Sequence, residues 1–323
     1  MKLGRKEFNT PVWLAPMAGY TDRGMRLMAK KWGADLTVTE MVSAKAVVYN
    51  DKKTFRLARI LPDEGDVLLQ IFGSEPHVLA EAAERLSRPV GEGYAAPFGI
   101  DINMGCPVNK IFSNGEGSAL MKSPSLIYDI VSTVKRAIDI PLTVKMRLGI
   151  KRGEMLAVEC ALAAEEAGAD AICVHGRRRE DMYGGVCDRE GIRAVKEALK
   201  IPLIANGDIK DGESALAMLR DTGADGIAIG RGAVGNPFIF TEIKRALSSK
   251  EYISPTSEEK IKEALLQLSY AVEDKGECIA IPEARKQIAL YFRDFHGSAR
   301  LRAEINASKT YTEVERILRS VIE

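Results

Sequence analysis

Cys106 lies in IDINMGCPVNK (100–110), where an apolar run gives way to Asn103, Gly105, Cys106 and Pro107. Glycine and proline on either side of the thiol mark an irregular turn, so Cys106 is expected on an exposed loop rather than in packing. A thiol there can hold a proton or act as a nucleophile. The second role is disfavoured, because no Cys–His–Asn pattern accompanies it. Other groups able to do chemistry stand at the ends of short apolar runs: Gln70, Asn103, Lys145 with Arg147, His175, Asn206 with Asp208, and Gly230 with Arg231.

The runs that carry them are VWLAPM (12–17), LTVTEM (36–41), VLLQIF (67–72), GIDINM (99–104), LTVKMR (142–147), AICVHG (171–176), LIANGD (203–208) and GIAIGR (226–231). Stretches with helical spacing separate them, and AGAD (167–170) and TGADG (222–226) supply helix-ending glycines just before a strand. Eight such units predict an α/β fold, a (β/α)8 TIM barrel over residues 1–245. In such a barrel the polar strand ends converge on one mouth. A polar linker (246–256) and an all-helical domain (257–323) complete the chain, with Ser257 as the expected first cap and a second helix from about Pro282.

GRGAVG (230–235) matches G-x-G-x-x-G, but a Rossmann site needs a further strand with an acidic residue, and NPFIFTEIKRALSS follows instead. ANGDI (205–209) and IGRGAVGNP (229–237) are the loops after strands 7 and 8, where barrels often hold phosphate. A phosphate there, with Lys145, Gln70 and His175 around the mouth, suits flavin mononucleotide (FMN). Lys145 would face the electron-rich edge of the reduced ring, and Gln70 its pyrimidine edge.

Composition excludes several classes. Lys and Arg total 46 against 45 Asp and Glu, so any nucleic-acid footprint must be local. No apolar run approaches the ~20 residues of a membrane span, and the N-terminus lacks a signal-peptide core. The five cysteines are scattered and never in CxxC, which speaks against zinc or disulfides and for a reducing cytoplasm. Cys160, Cys173 and Cys278 are read as small core residues.

In order and spacing, APMAGYTDRGMR (15–26), INMGCPVNK (102–110), VKMR (144–147), VHGR (174–177), ANGDI, IGRGAVGNPFIF (229–240) and EARKQIALYF (283–292) resemble the tRNA-dihydrouridine synthases, most closely the bacterial B-type branch. The resemblance implies reduction of the C5–C6 double bond of particular uridines in tRNA, with tightly bound FMN and NADPH as reductant. It assigns FMN contacts to Pro16, Met17, Ala18, Gln70, Lys145, Asn206, Gly207, Asp208, Gly230 and Arg231, with His175 beside the phosphate or ring. Cys106 falls on the family's catalytic cysteine and Asn103 on the asparagine that holds uracil. Hydride added at C6 leaves C5 in need of a proton from the opposite face, and a thiol with a reference pKa near ~8.5 still carries one at neutral pH.

Basic residues follow several strands: Lys52, Lys53, Arg56, Lys110, Lys151, Arg152, and Arg177 to Arg179. With Arg285, Lys286, Arg293, Arg300 and Arg302 in the tail, they are expected to form one cleft gripping tRNA phosphates. Lys110, Arg177, Arg178, Arg285, Lys286 and Arg293 are the named substrate contacts, and Tyr183 is a candidate stacking residue. No metal is expected, and the protein is expected to be a monomer. The alternatives are an FMN barrel dehydrogenase for a free pyrimidine, a tRNA-binding scaffold without catalysis, and a lyase using Lys145 as a Schiff-base amine.

Overall fold

A computed structural model describes residues 1–321. Among them, eight parallel strands close a barrel: β1 Val12–Leu14, β2 Leu36–Val38, β3 Val67–Phe72, β4 Gly99–Met104, β5 Leu142–Gly149, β6 Ala171–Arg178, β7 Leu203–Asn206 and β8 Gly226–Ile229. Each pairs with the next, and β8 closes onto β1. All eight were legible as β-rich runs. β1, β2, β7 and β8 end two or three residues earlier than expected, and β5 and β6 run two residues further. The early ends release Asp208 and Arg231 from the ladder into turns.

The main helices of the barrel are α1 Arg23–Lys31, α2 Ala44–Val48, α3 Pro76–Leu86, α4 Pro124–Ala137, α5 Ala157–Glu166, α6 Arg189–Ala198, α7 Gly212–Thr222 and α8 Ile239–Leu247, with single short helical turns at Lys52–Leu57 and Asn109–Ser113. Their apolar faces and the outward faces of the strands form the main core, with Ile71, Ile102, Val144, Ile130 and Phe240 fully buried. The inward faces form a separate cluster containing Trp13, Leu36, Leu68, Ala171, Cys173 and Ile204. On β3 and β6 the inward side chains change from apolar at the floor (Leu68; Ala171 and Cys173) to polar above it (Gln70; His175), whereas β4 and β5 present polar inward side chains at Asp101, Asn103, Thr143, Lys145 and Arg147. A two-residue-per-strand hairpin, Lys2–Leu3 with Lys6–Glu7, was not anticipated. It lays Leu3, Phe8 and Met1 against that floor.

The last helices are α9 Ser257–Lys275, α10 Glu277–Ile288, α11 Ser298–Ala307 and α12 Tyr311–Arg319. α8 ends at Leu247, two residues beyond the expected barrel boundary. The α9 cap is Thr256, not Ser257: the Thr256 hydroxyl accepts from Glu259 N and the Glu259 carboxylate accepts from Thr256 N, a reciprocal capping box. α10 starts at Glu277, directly after Gly276, so Pro282 lies inside it rather than opening it. Cys278 is exposed on that first turn instead of packed in a core.

The helical domain is joined closely to the barrel. Its apolar cluster contains Ile261, Leu268, Ile288 and Phe292 but also Phe238 from the barrel, whose ring meets Trp32 edge-on at 4.5 Å. Gly24 of α1 admits α9: a Cβ there would lie 3.0 Å from Gln267 O. The buried Glu263 carboxylate accepts from Lys31 Nζ and Trp32 Nε1, and Lys275 pairs with Asp22 at 2.7 Å. These bonds fix the tail over the loop that follows β1. No helix of the described residues is long and apolar enough to cross a membrane.

Candidate active site

β4 ends in the turn that carries Cys106, and this turn is buried, correcting the expectation of exposure. Cys106 is 9% accessible because the short turn Gly117–Lys122 folds back across it. Ser118 donates to Cys106 O through both its hydroxyl, at 2.8 Å, and its amide, at 3.2 Å. From below, Asn103 Oδ1 accepts the amides of Gly105 at 3.2 Å and Cys106 at 2.9 Å. Burial pushes the thiol pKa up, against smaller opposing effects of the Val108 amide and Arg147. The sulfur therefore keeps its proton at neutral pH, which suits an acid better than a nucleophile.

Three inward residues of β5 share the barrel with this turn. Thr143 lies deepest. Lys145 comes next, half-buried, and its Nζ donates to Asn206 Oδ1 at 3.1 Å. Burial lowers its pKa, and no carboxylate neutralises it by direct contact among the described residues. Arg147, at the mouth, donates to Gly105 O at 2.9 Å, Arg178 O at 3.0 Å and Met182 O at 2.8 Å. It thereby ties the Cys106 turn to the loop after β6. Burial brings its pKa down to about 10.

His175, on β6, is held well below its usual pKa by burial and then by Lys145, Arg147, Arg177 and Arg231. It is a neutral imidazole. Its Nε2 faces Arg177 Nη1 at 3.3 Å, which makes Nε2 the acceptor and leaves the proton on Nδ1.

The turn after β7 is built around Asp208. Its carboxylate accepts from Arg177 Nη2 at 2.7 and 2.9 Å and from the Cys187 amide at 2.8 Å. Partial burial alone would raise its pKa, yet these donors, with Arg231, hold it below the ordinary carboxylate value. They also hold left-handed backbone at Gly207 (φ 130°) and Asp208 (φ 49°). Among the described residues, the amides of Gly207, Gly230 and Arg231 reach no acceptor within the chain. Successive unpaired amides in such a turn form an anion-binding concavity. Several cations, a neutral imidazole and free amides around one mouth are the surroundings that a phosphate and an electron-rich ring require. The residues present thus fit FMN.

The expected cofactor residues gather here, with qualifications. Pro16 and Met17 are half-buried and Ala18 is exposed in the loop after β1, and Met17 Sδ lies 3.7 Å from where a Cβ on Gly230 would stand. Gln70 is only 1% accessible, and its amide is bonded to Asp101 and Asn103. The expected phosphate grip needs correction at four positions. Arg177 is 3% accessible and donates to Gly184 O, Gly185 O and Asp208, so it braces the turn rather than facing a substrate. Arg178 is occupied by Asp188 at 2.7 Å and by Glu154 O. Arg285 donates to Asn306 O and braces the helical domain, and Arg293 donates to Val234 O at 2.6 Å and ties that domain to the loop after β8.

Lys110, Lys52, Lys53, Arg56, Lys151, Arg152 and Lys286 remain exposed, with Lys286 Nζ 4.3 Å from the Tyr20 ring centroid. Tyr183 is 52% accessible, and the Arg147 and Arg231 guanidiniums lie 5.8 and 5.7 Å from its ring centroid. Arg147 was placed at the mouth from sequence without a role, and Asp101 and Thr143 were not assigned a place in the site. Alternation along LTVKMR and GIDINM puts them on the inward face with Lys145 and Asn103 and was the available signal.

Comparison with known proteins supplies the family. The family model described as dihydrouridine synthase (Dus) matches residues 13–323. The tRNA-dihydrouridine synthase B of Pectobacterium carotovorum is 37% identical, covering 100% of this chain and 99% of that protein. That of Pseudomonas aeruginosa is 39% identical over 91% of this chain and 87% of its own. Among solved structures, histamine dehydrogenase from Rhizobium sp. 4-9 superposes with a TM-score of 0.58 at 14% identity, over 84% of this chain and 50% of that one. A morphinone reductase mutant in complex with tetrahydroNAD gives 0.53 at 14% identity, over 80% and 92%. At that identity the likeness concerns the barrel alone. With a matched family model running through barrel and tail, and relatives above 35% identity along nearly their whole length, the chain belongs to the dihydrouridine synthase family.

Proposed function

We propose that this protein reduces the C5–C6 double bond of uridines in tRNA, with FMN as resident cofactor and a nicotinamide, NADPH by resemblance, as reductant. When bound, FMN would supply the hydride equivalent for the uracil. The unpaired amides of Gly207, Gly230 and Arg231 would hold its phosphate, with Arg231 adding charge, and Lys145 would face the electron-rich edge of its ring. Neutral His175 adds an N–H donor without a further positive charge. Pro16, Met17, Ala18, Gln70, Asn206 and Asp208 complete the surroundings.

One observation carries the reading. A protonated thiol on a tightly bonded turn shares a mouth with this cation cluster, and Arg147 touches both the turn and the loop beyond it. Cys106 holds the proton that C5 needs, and Asn103 fixes the backbone that aims it. The target base must leave its stack to reach this depth. The exposed Lys52, Lys53, Lys110, Lys151, Arg152 and Lys286 would meet tRNA phosphates, and the exposed ring of Tyr183, near two guanidiniums, would stack on a base.

The test is Cys106→Ala. The variant should bind FMN and tRNA as the unaltered protein does, while dihydrouridine formation on unmodified tRNA, measured by nucleoside mass spectrometry, falls by about 100-fold or more. Full activity of the variant would remove the acid role. A protein that binds no FMN would remove the flavin reading.

A further inference from the structure

Below Cys106 runs a chain of side-chain hydrogen bonds that ends on residues to which the proposed reaction gives no part, Asp101 and Thr143. Gln70, Asp101 and Thr143 stand in register on β3, β4 and β5, all facing inward. Thr143 Oγ1 donates to Asp101 Oδ1 at 2.6 Å, and Gln70 Nε2 donates to Asp101 Oδ2 at 2.6 Å. Asn103 Nδ2 donates to Gln70 Oε1 at 2.9 Å, and Asn103 Oδ1 accepts the amides of Gly105 and Cys106. All four side chains belong to buried residues, with Asp101 only 2% accessible.

The direction of every bond in this chain is determined. A peptide N–H can only donate, so Asn103 must turn its oxygen toward Cys106 and its nitrogen toward Gln70. Gln70 must then accept through oxygen and donate through nitrogen, and the chain has to end on an acceptor. Asp101 is that acceptor. The carbonyl oxygens of Gln70 and Asn103 are both occupied, and each amide keeps one N–H uncommitted. Gln70 and Asn103 therefore each offer a free N–H, the complement of a ligand edge rich in carbonyl oxygens.

We infer that Asp101 is a positioning residue: by terminating the chain it orients Gln70 toward the cofactor, Asn103 toward the base, and the backbone of Cys106. This rests on the flavin reading above. A competing account uses the same carboxylate as a counter-charge, since Asp101 also acts through space on Lys145. The two separate at Asp101→Asn. An asparagine can still accept from Gln70 through its oxygen while donating to the Thr143 hydroxyl, so the chain survives and the charge is lost. Asp101→Leu keeps the size and loses the acceptor.

The experiment uses full-length protein with two readouts. FMN affinity of the cofactor-stripped protein is titrated by quenching of flavin fluorescence. The rate of iodoacetamide alkylation at Cys106 is followed by peptide mass spectrometry, with exposed Cys278 as internal reference. Asp101→Leu should weaken FMN binding at least tenfold and change the Cys106 rate at least threefold, with Cys278 unaffected. Asp101→Asn should stay within threefold on both readouts.

If Asp101→Asn falls as far as Asp101→Leu, charge rather than orientation is at work and the inference is overturned, even if the leucine variant does not fold. It is equally overturned if the leucine variant matches the unaltered protein. If the unaltered protein binds no FMN, the flavin reading fails, and the Cys106 rate still decides whether Asp101 governs that turn.

Discussion

Gly207→Ala tests the anion turn directly. At φ 130° an alanine occupies backbone space open to little but glycine, at a cost of about 1–3 kcal/mol. Its Cβ would also lie 2.6 Å from Cys187 Sγ and 3.2 Å from His175 Cδ2. The sulfur would have to retreat by about 1 Å to reach ordinary contact. It cannot retreat freely, because the Cys187 amide is bonded to Asp208. The cheaper response is a rotated peptide, which turns the free Gly207 amide away from a bound phosphate. Losing one or two charge-assisted bonds is worth about 2–4 kcal/mol, or roughly 30- to 700-fold in affinity.

FMN titration of the stripped protein, paired with a thermal melt, reads both parts of this cost. Gly93→Ala is the control, since Gly93 also has positive φ (81°) but nothing within 4 Å of the added carbon. It should lower the melting temperature slightly and leave FMN affinity unchanged. Gly207→Ala with Cys187→Ala should recover the steric part only. Affinity of Gly207→Ala within threefold of the unaltered protein would refute the assignment of this turn to the phosphate.

Glu64→Ala removes the partner of Arg26, a buried pair at 2.6 Å joining α1 to the turn before β3, and should cost about 3–5 kcal/mol in denaturant unfolding. Asp101 has a pKa raised by burial from 3.8 to about 6, so between pH 4 and 6 the folded protein binds more protons than the unfolded chain and stability falls as pH rises. At ~1.36 kcal/mol per unit this amounts to about 3 kcal/mol at pH 7; Asp101→Asn should therefore be the more stable protein at pH 7, with the difference closing near pH 4. His175 acts in the opposite sense. Its depressed pKa means that the unfolded chain alone takes up the proton below the ordinary histidine pKa of 6.5, so stability is lost as pH falls below that point, and His175→Gln should flatten this limb of the melting-temperature profile.

The barrel was legible because each strand carries an apolar stretch bounded by turn residues, and the site because alternation sends Asn103 and Lys145 inward at one level and Arg147 and His175 inward at the next. What was misread depends on contacts distant in sequence. Glycine and proline beside Cys106 do mark a turn, but its burial comes from Ser118, twelve residues on. Arg177 reads as one of three surface arginines until Asp208, thirty-one residues later, folds against it. The hairpin at Lys2–Leu3 and Lys6–Glu7 is too short to show any period. Thr256 supplanted Ser257 by a single position, which local spacing does not resolve.

That hairpin has a consequence for traffic. With Leu3, Phe8 and Met1 lodged against the base of the barrel, among Trp13, Leu36 and Leu68, the chamber is sealed at one end. Whatever arrives above the inner residues must enter and depart through the same doorway.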